Sequence, residues 1–109
     1  MQRTHEAFDL TIENRIAHLR LNRGDALNTM NRAFWNELPE LVREVDRDAL
    51  ARVIVLSSTG RHFSAGMDLA VFGGNGERPA DRAVAAEAFR SNLPRIQHAF
   101  DVLEQARMP

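Results

Sequence analysis

Eight consecutive residues, His62-Phe63-Ser64-Ala65-Gly66-Met67-Asp68-Leu69, hold the groups in this sequence best suited to chemistry, and the chemistry is that of the backbone. They follow closely on the apolar run Val53-Ile54-Val55-Leu56. A buried strand followed by a short loop and small residues leaves N–H groups uncovered, and Gly66 lets the chain turn sharply or approach a ligand with no Cβ in the way. The amide of Met67 then points outward near the start of a helical turn, where unpaired donors collect. Fixed donors of this kind in a dry site stabilise negative charge developing on an acyl oxygen, by about 3 kcal/mol each. The same residues also fit an ordinary tight turn capped by Asp68.

Other chemistry is less well served. His62 sits beside the motif and has the right type for a base, but His5, His18, His62 and His98 have no metal-ligand spacing. Ser64 lacks the Gly-x-Ser-x-Gly elbow of an activated nucleophile. Gly73-Gly74-Asn75-Gly76 has no following Lys-Ser/Thr and is no phosphate loop of the Walker type. The sequence contains no cysteine, which removes disulfides, thiolate metal sites and a Cys nucleophile. A net charge of −1 with interspersed signs argues against a nucleic-acid surface. No window reaches the length of a membrane span, and the polar start Met1-Gln2-Arg3-Thr4-His5-Glu6 has no signal-peptide core, so a cytoplasmic location is expected.

The elements that must position the motif are legible from periodicity. Phe8, Leu10 and Ile12 alternate with polar residues, and Ile16 to Leu21 follows across Asn14-Arg15, which together read as an antiparallel hairpin. Asn22-Arg23-Gly24-Asp25 is a turn cluster. From Asn28 the period changes: Met30, Phe34, Leu38, Leu41, Val42 and Val45 mark one face of an amphipathic helix that ends at Asp46-Arg47-Asp48. Asn28 or Asn31 is placed to cap it, Pro39 to kink it, and Phe34 and Trp35 to fill the core. Val53 to Ser57 alternates little and reads as a strand covered on both faces. Residues 73–82 read as a flexible loop, and Phe89, Leu93, Ile96, Phe100 and Leu103 mark a second helical stretch from about Arg82 to Arg107 that Pro94 interrupts. The order β-β-α-β-loop-α predicts an α/β layer arrangement.

Three motifs in this order resemble the crotonase superfamily, the enoyl-CoA hydratase/isomerase family. They are the strand and loop from Ile16 through Asn22-Arg23-Gly24-Asp25-Ala26-Leu27-Asn28, the strand Val53 to Leu56, and Phe63 to Leu69. The tail from Phe100 to Pro109 is similar to the helix end that precedes the family's next core strand, and the wording is especially similar to dienoyl-CoA isomerases. The resemblance implies an α/β crotonase-like (ClpP/crotonase) fold, of which residues 1–109 form the N-terminal ββαβ-loop-α portion of a single domain.

It further implies that the backbone N–H of Met67 is one oxyanion donor to the thioester carbonyl of an acyl-CoA, for hydration or double-bond migration. Ala65, Gly66, Asp68 and Leu69 would line the pantetheine and acyl entrance. Asp25, Ala26 and Leu27 would lie along the nucleotide end of coenzyme A, which is part of the substrate, with no separate cofactor or metal. Arg23 matches a phosphate contact, although an Arg in a turn is more often simply solvated. Gly24 stands where many members carry Pro and leaves the loop more flexible. The family's second donor and its acid/base carboxylates come after the position of Pro109, so this stretch alone is expected to be an inactive portion of such an enzyme or a non-catalytic module. The full-length form is expected to be a homotrimer or homohexamer.

Overall fold

Alternating and β-branched residues build a four-stranded sheet in the order β1-β2-β3-β4, from Gln2–Thr4, Phe8–Glu13, Ile16–Leu21 and Val53–Ser58. The computed structural model describes residues 1–69, 71 and 81–109. β2 and β3 are antiparallel, with Phe8 opposite Leu21 and Glu13 opposite Ile16, and the hairpin turns through Asn14 and Arg15 at φ 52° and 64°. Two successive positive φ angles match the twist of the flanking strands. β1 has no counterpart in the hydrophobic pattern. It pairs with β2 through the backbone, and an Arg3–Glu44 ion pair at 2.6 Å fastens it to the first helix.

That helix, α1 (Arg32–Arg47), crosses from β3 to β4, which are parallel with Ala17 opposite Ile54 and Leu19 opposite Leu56. Asn31 caps it, its Oδ1 accepting from Phe34 N at 3.0 Å. The inward residues of the sheet, Phe8, Leu10, Ala17 and Leu19, are fully buried against Leu38, Val42 and Val45 of α1. Phe34 and Trp35 are core residues as expected. The Phe8–Phe34 centroids stand 5.3 Å apart and those of Phe34 and Trp35 4.9 Å, edge to face. α1 runs unbroken through Pro39, whose buried ring packs with the rest of this apolar face.

β4 is covered on one face among the described residues. Ile54 and Leu56 pack on the core, whereas Val55, on the opposite face, is 40% exposed. Its outer edge bonds Pro109, Ile54 N donating to that residue's C=O at 2.8 Å.

At the end of α1 the chain closes a Schellman motif: Leu50 N donates to Val45 C=O at 3.1 Å and Ala49 N to Asp46 C=O at 3.2 Å, with Ala49 at φ 49°. A left-handed conformation costs an alanine about 1–2 kcal/mol that glycine avoids. Ala49→Gly is therefore expected to raise stability by about 1 kcal/mol, read as a higher urea midpoint; an unchanged or lower midpoint would count against the motif.

The next long helix among the described residues, α2 (Arg82–Gln105), begins at Asp81, whose Oδ1 accepts from Ala83 N at 2.7 Å. Arg82 thus opens a helix, while residues 73–80 of the expected flexible loop lie outside the described residues. Pro94 lies within α2 without dividing it. Ile96, Ala99 and Val102 pack into the core, and Phe100 meets Trp35 edge to face at 5.2 Å. Beyond the helix, Arg107 Nε bonds Asp46 Oδ1 at 2.8 Å, clasping the end of α2 to the end of α1. This hydrogen bond lowers the Asp46 pKa, so the clasp is intact above the ordinary carboxylate range and weakens as falling pH protonates the group.

Because β3 and β4 are parallel, the loops that follow them leave the sheet at the same end. Ligand sites of α/β sheets form where such loops meet.

Candidate active site

Asn28 joins the two loops. Its side chain is 1% exposed and its backbone is left-handed, φ 51°. Asn28 Oδ1 accepts from Arg23 N at 3.0 Å, and Nδ2 donates to Thr59 C=O at 2.6 Å and His62 C=O at 3.2 Å. Asn tolerates this backbone region better than most residues, and a buried amide needs such partners. The capping role belongs to Asn31; Asn28 instead binds the loop after β3 to the loop after β4.

Gly24 and Gly60 let the loops touch backbone to backbone. A Cβ on Gly24 would stand 3.0 Å from Thr59 Oγ1 and 3.1 Å from Gly60 N. Gly60, at φ 81°, would place a Cβ 3.0 Å from Gly24 Cα. The expected looseness at Gly24 is not what the structure shows. Gly24–Ala26 forms a 3₁₀ turn closed by Leu27 N donating to Gly24 C=O at 3.0 Å, and Thr59 Oγ1 ties the facing loop to Leu21 C=O at 3.0 Å.

Between the loops lies an open cleft of about 740 Å³, lined by Asn22 to Leu27 on one side and Thr59 to His62 on the other. Asp25, Ala26 and Leu27 therefore share one wall, all three exposed, with Leu27 at φ 59°. Arg61 and His62 on the other wall carry the cleft's exposed cation and imidazole. Arg23 is only partly exposed and its guanidinium is held by the loop: Nη1 donates to Thr29 C=O at 2.7 Å, and Nη2 lies 4.0 Å from Asp68 Oδ2. Asp68 Oδ2 also accepts from Thr29 Oγ1 at 3.1 Å, so its carboxylate is held against the first loop.

Ala65 to Leu69 do not line the cleft but adjoin it, since Ala65 N donates to Leu27 C=O at 2.9 Å. Met67 forms a parallel bridge with Met30, in which Met30 N donates to Gly66 C=O at 2.8 Å and Asp68 N to Met30 C=O at 3.1 Å. Met30 is itself fixed from the core, its C=O accepting from Trp35 Nε1 at 3.1 Å. In a parallel bridge the central residue's own N–H and C=O point away from the partner strand. Gly66 N donates to Ser64 Oγ at 3.1 Å. Of the amides from Ala65 to Asp68, only that of Met67 has no acceptor among the described residues. Gly66, at φ 96° with nothing among the described residues within 4 Å of a Cβ position, supplies the turn beside that amide.

Leu69 is 83% exposed, Phe63 54% and Leu27 50%, an apolar margin contributed by both loops. Asn28, Ser64, Thr59 and Gly60 are the residues whose roles the sequence pattern missed. The bonds of Asn28, Ser64 and Thr59 and the Gly24–Gly60 contact join positions about 30 to 40 apart, which no local periodicity records.

The sheet, its crossover helix and the amide-bearing loop define an α/β protein of the crotonase fold. Solved structures agree: an enoyl-CoA hydratase from Shewanella pealeana superposes with a TM-score of 0.80 at 19% identity, over 95% of this chain and 37% of that one. An enoyl-CoA hydratase/carnitine racemase from Magnetospirillum magneticum gives 0.76 at 26% identity, over 99% and 38%. Residues 11–103 match the model of the enoyl-CoA hydratase/isomerase family, and the chain belongs to that family. Among curated relatives, the mitochondrial Delta(3,5)-Delta(2,4)-dienoyl-CoA isomerase of Rattus norvegicus is 33% identical over 108 residues, 96% of this chain and 33% of that protein. The chain thus spans about a third of the length of this relative and of its Homo sapiens counterpart.

Proposed function

We propose that these residues form the acyl-CoA-binding part of an enoyl-CoA hydratase/isomerase-type enzyme, in which Met67 N–H polarises the thioester carbonyl for hydration or double-bond migration. The observation that carries this reading is the unspent Met67 amide, fixed on both sides by its bridge to Met30 and set beside an open cleft. Polarising the thioester lowers the cost of enolate-like charge on its oxygen, the charge that both reactions develop. Asp25, Ala26 and Leu27 border the nucleotide end of coenzyme A, while Ala65, Gly66, Asp68 and Leu69 border the pantetheine and acyl end. Asp68 does so through its backbone, because its carboxylate is engaged with Thr29. The substrate carries the coenzyme, and no further cofactor is invoked.

Family membership together with the dienoyl-CoA isomerase relatives supports double-bond migration as well as hydration. In this reading the 109 residues supply the first donor and one wall of the site, and the second donor and acid/base groups are supplied from outside them. By themselves they bind without turning over. Assaying the complete protein with a 2-enoyl-CoA and a 3,5-dienoyl-CoA decides the matter: turnover of either thioester, with the other much slower, fixes the reaction. Failure to bind or turn over both would defeat the proposal.

A further inference from the structure

We propose that Ser64 is a positioning residue for the Met67 amide, acting through a hydroxyl that links the two loops and consumes the neighbouring donor. The inference rests on the oxyanion reading of Met67 given above. Ser64 Oγ donates to Asn28 C=O at 2.8 Å and at the same time accepts from Gly66 N at 3.1 Å. A hydroxyl has one hydrogen to give and lone pairs to receive, so both bonds form together with the polarity fixed.

The consequence is directional. Gly66, with φ 96° and nothing among the described residues within 4 Å of a Cβ position, has no steric preference that would hold its peptide plane. Among the described residues three bonds hold this turn: Ala65 N to Leu27 C=O, Gly66 N to Ser64 Oγ, and Met30 N to Gly66 C=O. Only the second comes from a side chain. The first and third fix the ends of the turn, and the Ser64 bond fixes the peptide between Ala65 and Gly66. It also takes the Gly66 amide out of competition, so that this turn offers the substrate oxygen a single donor. Asn28 anchors the relay, since its buried side chain already fixes the backbone whose C=O receives the Ser64 hydrogen.

A small misplacement of a preorganised donor costs catalysis rather than binding, because remote contacts with the substrate are untouched. In the complete protein, Ser64→Ala is therefore expected to lower kcat about tenfold with KM for the acyl-CoA nearly unchanged, and Ser64→Thr, which keeps the hydroxyl, to restore most of the loss. A residue that merely packed the turn would lower the melting temperature without this split and without rescue by Thr. Amide exchange of the wild-type protein without ligand provides a reading that needs no variant: Gly66 N–H slow, Met67 N–H fast. Wild-type kcat in Ser64→Ala, or a Gly66 amide that exchanges as fast as that of Met67, would overturn the positioning role. If an ester in place of the Met67 amide leaves kcat unchanged, the oxyanion reading itself falls, and this inference with it. If the ester abolishes turnover while Ser64→Ala is silent, only the inference is lost.

Discussion

Asn28→Ala is expected to destabilise the protein by about 3–5 kcal/mol, more than any other single exchange in the two loops. The substitution leaves Arg23 N without its acceptor and Thr59 C=O without its donor, at a residue 1% exposed, while His62 C=O keeps its bond from Ser58 Oγ. Each buried polar group left without a partner costs about 1–3 kcal/mol, and alanine bears about a further 1 kcal/mol at φ > 0 relative to glycine. The urea midpoint measures the total, with an unchanged slope showing that the unfolded state is not the cause. Two companions divide it. Asn28→Gly removes the backbone strain but not the lost bonds, and Asn28→Asp keeps the acceptor for Arg23 N while losing both donors. A loss under about 1 kcal/mol in Asn28→Ala would show that the loops hold together without this side chain.

Much of the fold is written in local pattern, and the reasons are visible in particular elements. Phe8–Glu13 and Ile16–Leu21 alternate because one face is buried, and α1 repeats at three and four because it lies on that face. β1 leaves no such mark, since Gln2–Thr4 is held by backbone pairing and one ion pair. Pro39 and Pro94 suggest kinks, yet both helices continue through them. For α1 the buried apolar face holds the helix together in spite of the missing N–H.

At the site, the amide of Met67 and the turn at Gly66 are legible because glycine and small residues announce themselves. The direction of Arg23 is not. Its guanidinium is drawn inward by Thr29 and Asp68, the latter 45 positions away in sequence. Asn28 and Ser64 look locally like a cap and an unpromising nucleophile; only the meeting of the two loops makes one a clip and the other a relay.

Replacing the Met67 amide with an ester, by incorporating the α-hydroxy analogue of methionine, is expected to cost the complete protein about two to three orders of magnitude in kcat. The exchange removes the N–H while keeping the side chain. It also weakens the preceding carbonyl, Gly66 C=O, which accepts from Met30 N, so the exchange has a structural component as well. An ester at Asp68 is the matching control, because the N–H it removes is spent on Met30 C=O and faces the bridge rather than the open side. The control is expected to lower the melting temperature by as much or more and kcat far less. With the control in hand, kcat of the Met67 ester is the most direct test of whether this amide holds the thioester oxygen. A fall of about a hundredfold or greater in the protein that still binds acyl-CoA is the predicted result, and a kcat within about twofold of the amide form would contradict it.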